Sequence, residues 1–253
     1  MVWSVVGLVA LGYLFFFYYF FIGPSSFIWR RQYGAIKYPD GYEVHGIDVS
    51  HYQGRIDWEK VRNATINEEP IRFVFIKATE GKDLMDEYYY HNFREAKENG
   101  FLRGAYHFFS TQTSGKEQAE YFIRQVRLEN GDLPPVLDIE SIGGLSKEEL
   151  KHEVLEWMRI VEAHYKVKPI LYTYQKFKVK YLNDEIFDQY PFWLAHYYVE
   201  KVQHKGKWMF WQHSDLGEID GIKEKVDLNI FNGSLYQLIK FTIGATPIEE
   251  INY

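Results

Sequence analysis

Pro134-Pro135-Val136-Leu137-Asp138-Ile139-Glu140, with Ser146-Lys147-Glu148-Glu149-Leu150 a few residues on, reads as a turn, a strand and the start of a helix. Paired prolines suit neither a helix interior nor a central strand, so they mark the turn. The following run, Val136 to Ile139, has the length and apolar character of a buried strand. Ser146 and Glu149 have capping-box spacing, and Leu150, Val154, Trp157, Met158 and Val161 recur at the helical period. At i and i+2 of a strand, Asp138 and Glu140 share one face, roughly 6 to 7 Å apart. Two carboxylates at that separation suit cleavage of a glycosidic bond, where one acid protonates the departing oxygen and others stabilise the cation or orient a nucleophile. The same triplet also occurs at solvated strand ends and in structural ion pairs, so its meaning depends on context.

Working outward, the strand-then-helix unit repeats. The predicted strands are Val44 to Val49, Arg72 to Ala78, Gly104 to Phe109, Val136 to Ile139, Ile170 to Tyr174, Phe192 to His196, Met209 to Gln212 and Val226 to Ile230. Helical signatures follow the first five. Ser114 and Glu117 form a second capping box, Gly100 ends one helix and Pro169 lies beyond another. After the sixth strand, Gly206, Gly217 and Gly221 punctuate connections that look hairpin-like or irregular. Alternating strands and helices predict a parallel sheet, and eight strands predict closure. The expected fold is therefore α/β: an irregular TIM-like (β/α) barrel of eight strands, with about five regular β/α units and fewer helices in the last part. There is no internal repeat and no second domain, and Ser234 to Tyr253 is expected to pack on the barrel as a terminal strand or helix.

Composition fits one such domain. The chain has 253 residues, 46% hydrophobic and 25% charged, enough for one substantial core. Its net charge of -6 gives nucleic-acid binding no electrostatic support. The absence of cysteine excludes disulfides, thiol nucleophiles and thiolate metal sites. Val2 to Ile22 carries no charged side chain, and about 20 apolar residues suffice to cross a bilayer. Residues 1–23 are thus expected to be a transmembrane anchor or export signal, 24–42 a tether and 43–253 the barrel. The long apolar run without an evident small-x-small cleavage site favours an uncleaved anchor. Arg30, Arg31 and Lys37 follow the span, a bias that would hold that side in the cytoplasm.

Active sites of such barrels collect at the C-terminal ends of the strands. That places Asp48 near the end of the first strand, Asp138 and Glu140 at the end of the fourth, and Asp227 in the eighth, beside the first on closure. Tyr106, Tyr172, Tyr174, Trp193, Tyr197 and Trp211 are expected at the same mouth. Acids ringed by aromatics suit a sugar, whose C–H face stacks on rings while its hydroxyls meet carboxylates. Tyr106, Trp211, Tyr172 and Trp193 are the candidate substrate-binding residues. His107 and His196, on apolar strands, read as satisfied core histidines, and Glu80 as a structural partner of a basic neighbour.

In order along the chain stand Gly46-Ile47-Asp48-Val49-Ser50, Tyr52-Gln53-Gly54, Ile56-Asp57-Trp58 and Phe75-Ile76-Lys77-Ala78-Thr79-Glu80-Gly81. Gly104-Ala105-Tyr106-His107-Phe108, Leu137-Asp138-Ile139-Glu140, Trp193-Leu194-Ala195-His196-Tyr197, Trp211-Gln212 and Val226-Asp227-Leu228-Asn229 follow. Together they resemble the glycoside hydrolase family 25 muramidases, the lysozymes of fungal and bacteriophage type, over Gly46 to Gly233. His213 departs from the aromatic often found there, and a changed subsite is expected from it.

The resemblance implies hydrolysis of the β-1,4 bond between N-acetylmuramic acid and N-acetylglucosamine in peptidoglycan. Glu140 would be the general acid, with a raised pKa, and Asp138 would stay charged to handle the substrate's acetamido group. Asp48 and Asp227 would complete the catalytic set. Neither cofactor nor metal is called for, the partners are peptidoglycan glycan strands, and a monomer is expected. Because that polymer lies outside the cytoplasmic membrane, the barrel is expected on the outer side, in the bacterial cell envelope, against the weak charge bias. Two other readings compete with this one. A metal-dependent polysaccharide hydrolase or deacetylase lacks ligand spacing such as His-x-x-x-His, and a glycan-binding protein without catalysis sits poorly with intact Asp138 and Glu140.

Overall fold

The strands, in chain order, are β1 (Val44–Val49), β2 (Thr65–Ile66), β3 (Glu69–Glu80), β4 (Leu84–Met85), β5 (Leu102–Phe108), β6 (Val136–Asp138), β7 (Ile170–Tyr174), β8 (Phe192–Ala195), β9 (Phe210–Gly217) and β10 (Val226–Phe231). β1 closes the barrel by pairing on both sides, parallel to β3 and antiparallel to β10. β5 to β9 complete the circuit, while β2 and β4 are two-residue strands hung on β3. This is a computed structural model, and it describes residues 38–202, 204 and 206–245.

The eight predicted strands form the eight staves. One expectation is corrected: the sheet is not all parallel, because β10 runs antiparallel to both β9 and β1. The segment joining β9 to β10 is too short for a helical crossover, so the chain turns back as a hairpin. The reversal positions an acid. Asp227, at the start of β10, lies in register with Asp48 at the end of β1, so a strand running the other way delivers its first residues to the same mouth.

Period-2 alternation divides the strands. Val44, Phe73, Phe75, Val136, Ile170, Tyr172, Trp193, Phe210 and Phe231 fill the lumen as one buried cluster. Glycines make room for the rings: a Cβ on Gly46 would meet the Phe73 ring at 2.5 Å, and one on Gly104 the Phe75 ring at 2.6 Å. Helix Leu235–Lys240 closes the far end, with Leu238 in the cluster and Leu235 and Phe241 against it. The expected terminal element is thus a helix over the part described.

Outside, helices Trp58–Asn63, Tyr89–Glu98, Gly115–Gln125, Lys147–Tyr165 and Gln175–Tyr181 follow the first five staves. Both predicted capping boxes form, at Ser114 with Glu117 and at Ser146 with Glu149. Leu150, Val154, Trp157, Met158 and Val161 are the buried stripe of the longest helix. Lys166 ends it in a left-handed conformation at φ 61°. From β8 onward no regular helix separates the staves among the described residues.

The apolar run Val2 to Ile22 lies outside the described residues, and among those described no helix is long and apolar enough to cross a membrane. Tyr42, expected to end the tether, packs on Trp208 and Trp211, with ring centroids 6.0 and 6.3 Å away.

Candidate active site

β6 stops at Asp138, and its end is clamped from both sides. Phe109 N–H donates to the Asp138 carbonyl at 2.8 Å, Ile139 N–H to the Tyr172 carbonyl at 3.1 Å, and the Thr173 hydroxyl to the Ile139 carbonyl. The clamp holds Asp138 and Glu140 on one face, where they line a cavity of about 210 Å³ with Asp48, Asp227, Lys77 and Tyr106. Tyr172, Trp193 and Tyr197 also line it, and Tyr52, 74% exposed, stands at its rim.

Asp48 is the best-held of the four acids. Its Oδ2 accepts from Gln212 Nε2 at 2.8 Å and from Asn229 Nδ2 at 2.7 Å. Behind these donors, Tyr172 donates to Gln212 Oε1 at 2.6 Å, Tyr197 donates to the same oxygen, and Trp193 Nε1 donates to Asn229 Oδ1 at 2.9 Å. Amides thus convert aromatic donors into a cradle for one carboxylate. Burial pushes Asp48 up to about 6 against the pull of those donors. Asp227 is pushed up to about 9, first by burial and then by the charge of Asp48, to which it is hydrogen-bonded. Burial thus raises both members of this hydrogen-bonded pair.

Burial acts on both carboxyls of the Asp138–Glu140 pair. Burial lifts Asp138 well above the usual carboxylate range, and the charges of Glu140 and Asp48 add to it. Glu140 is raised as well, mainly by burial, and a hydrogen bond to Tyr174 opposes the shift. Burial thus raises both acids, Asp138 being the deeper of the two. Its Oδ1 is buried without a hydrogen-bond partner among the described residues. Lys77 is the counter-charge, lowering both acids. Its ammonium binds Glu80 at 2.7 Å and sits 4.9 Å from the Phe108 ring centroid.

Two further expectations change. Trp211 lines none of this cavity: Phe210 and Gln212 point inward, so Trp211 between them points out, fully buried, its Nε1 donating to the His196 carbonyl at 2.8 Å. His213 shares that outer face, edge-on to Trp211 and Tyr38, and does not reshape the mouth. His107 is held as read, between Thr79 Oγ1 at 2.8 Å and Gln118 Oε1 at 3.1 Å, and burial pushes it down to about 3. Sequence reasoning passed over Lys77, Gln212 and Asn229 as site residues. Each stands at an inward position of its stave, beside or within a quoted motif, and that alternation was the available signal. Among the described residues the group with metal-ligand spacing, His152, Glu153 and Glu156, is on helix Lys147–Tyr165 and lines none of the mouth.

An acid-lined mouth on a closed barrel, walled by tyrosine and tryptophan, defines a glycoside-hydrolase class of site. The comparisons agree. Residues 47–222 match the sequence profile of Glycosyl hydrolases family 25, and the chain belongs to that family. It is 46% identical over 211 residues to Uncharacterized protein YegX of Escherichia coli K12, covering 83% of this chain and 77% of that one. Lysozyme M1 of Streptomyces globisporus is 34% identical over 215 residues, 78% of this chain and 70% of its own. The crystal structure of the bacterial lysozyme from Streptomyces coelicolor superposes with a TM-score of 0.74 at 33% identity, over 82% of this chain and all of that one.

Proposed function

We propose that this glycoside hydrolase is a muramidase that cleaves the β-1,4 bond between N-acetylmuramic acid and N-acetylglucosamine in peptidoglycan. The observation that carries the reading is the buried, unpartnered Oδ1 of Asp138 beside Glu140. A buried acceptor left without a donor costs about 1–3 kcal/mol, and an acetamido N–H supplies the donor it lacks. Similarity to proteins named lysozyme supports the substrate class.

In the proposed route the substrate N–H donates to Asp138 and favours its carboxylate, leaving the shared proton to Glu140. Glu140 passes that proton to the glycosidic oxygen as the bond to the anomeric carbon breaks. The acetamido oxygen attacks the same carbon to give an oxazolinium ion, which Asp138 stabilises. Water then opens the ring as the Glu140 carboxylate takes its proton. Asp48 and Asp227, sharing one proton, hold the cradle behind the reacting sugar. Tyr106, Tyr172 and Trp193 wall it.

The reading extends to location: the barrel works outside the cytoplasm, with Val2 to Ile22 as its anchor, and protease added to intact spheroplasts should degrade it. Digestion of defined peptidoglycan followed by mass analysis should find muramic acid at the new reducing ends. Glucosamine there would overturn the reading. NMR of the first-formed product should show the β anomer; an α anomer would exclude the oxazolinium route and leave the linkage assignment standing.

A further inference from the structure

At the pole opposite the catalytic mouth, where the parallel strands begin, Pro134, Lys168, Pro191 and Met209 each stand just ahead of a stave and line a hollow of about 830 Å³. Lys166, Lys207 and Lys240 line it too, and an adjoining hollow of about 550 Å³, which shares Tyr165 and Ile243, adds Arg124 and Arg127. Asp188 is the only carboxylate among these lining residues, and Lys178 binds it at 2.7 Å. The acids beside them are engaged as well, Glu129 by Lys97 and Arg103, both at 2.6 Å, and Glu162 by the Tyr190 hydroxyl. Six cations thus gather on one pole of a chain whose net charge is -6, while the mouth at the other pole carries the acids. Helix Leu235–Lys240 presents Tyr236 and Ile239 there, 62% and 45% exposed, and the Lys240 ammonium lies 5.7 Å from the Tyr236 ring centroid.

Repulsion among gathered like charges is relieved when an anionic surface meets them. The basic residues spread over two hollows rather than converging on one point, and exposed apolar side chains stand among them. That pattern suits an extended anionic sheet with an apolar interior better than a single small anion. The chain also enters the barrel at this pole: Tyr42, just ahead of β1, packs on Trp208, just ahead of β9, with ring centroids 6.0 Å apart. Upstream of Tyr38 the sequence carries Arg30, Arg31 and Lys37 and the apolar run Val2 to Ile22. We propose that this pole docks on a bilayer rich in anionic phospholipid, with the six basic side chains against the headgroups, Tyr236 and Ile239 at the interface, and the acid-lined mouth directed away from the membrane. Docking of this kind is independent of which bond the mouth cleaves.

Because the chain has no cysteine, a thiol introduced by Y236C or, at the rim of the mouth, by Y52C carries an environment-sensitive fluorophore at one place only. The labelled full-length protein is mixed with vesicles of phosphatidylcholine alone and with vesicles that also contain phosphatidylglycerol. Emission from the label at position 236 should rise on the anionic vesicles at low salt, fall back at high salt and change little on the neutral ones. The label at position 52 should stay unmoved on both. Each basic side chain held near an anionic surface strengthens binding about fivefold, so R127E/K166E/K168E, altered at three exposed positions, should shift the docked-to-undocked ratio about a hundredfold toward undocked and remove the rise. A matched reversal elsewhere, K176E/K180E/K201E, should retain it. No rise at position 236, an equal rise on neutral and anionic vesicles, a larger rise at position 52, or an equal loss in both triple variants overturns the proposal. Melting curves check that each variant is folded, and wall clearing by the unlabelled wild type tests the muramidase reading separately, so clearing without docking sinks the docking alone.

Discussion

Asp138 and Asp132 are both almost fully buried, and they have opposite surroundings. Asp132 is saturated: Arg103 donates to Oδ1 at 2.8 Å and to Oδ2 at 3.3 Å, and Glu129 N–H to Oδ2 at 2.9 Å. The same guanidinium bonds Glu129 and the Phe93 carbonyl and lies 3.8 Å over the Phe93 ring. Asp138 has an unpartnered oxygen and further carboxylates for neighbours. A buried acid that the fold satisfies holds the structure together. One that the fold leaves unsatisfied is kept for something that arrives later, at a cost in stability.

The largest break in this contrast comes from Glu140→Gln, which removes the proton donor and keeps the shape. Wall clearing should fall about 10²–10⁴-fold with the melting temperature unchanged or raised. Undiminished clearing would remove Glu140 from its role. Arg103→Met does the converse. Urea denaturation should show a loss of about 3–5 kcal/mol, because Asp132 becomes an uncompensated buried charge, while kcat of the folded fraction stays within a few-fold.

A smaller effect is expected from Asp227→Asn. A carboxyl whose pKa is higher folded than unfolded stabilises the protein below the unfolded value near 4, and that contribution fades as pH climbs through the folded one, about 9 for Asp227. Removing this titration should make the fall in stability from pH 5 to pH 8 smaller than in wild type, read as a smaller drop in melting temperature across that range. A parallel pair of melting curves across that range would show that Asp48 and Asp227 are not coupled as described. The smallest functional effect belongs to Trp211→Phe. With its ring on the outer face, KM should stay within about twofold, while the bond to His196 and part of the packing on Tyr42, Trp208 and His213 are lost, about 1–3 kcal/mol of stability. A tenfold rise in KM would return Trp211 to the mouth.

The staves and helices were legible because their signals are local. Capping boxes, apolar periods and glycine punctuation each act within a few residues, and the acids at strand ends followed from barrel topology. Trp211 was misjudged although its strand was read correctly. Period-2 alternation fixes that Trp211 and Gln212 face opposite ways, but which way is inward depends on the closed sheet. Lys77, Gln212 and Asn229 were overlooked for a related reason: a lysine or amide in a strand has no distinctive spacing, and its meaning lies in what stands across the lumen.

The sequence by itself determined an α/β chain with eight staves, a barrel and four acids at its mouth, since hydrophobic period and turn chemistry are written residue by residue. Tertiary structure alone decided that β10 runs backward, bringing Asp227 opposite Asp48. It also decided which acids are raised, because a pKa is set by depth and by charges distant in sequence. Asp138 ends β6 and Glu140 lies two residues beyond it, and depth in the lumen distinguishes them.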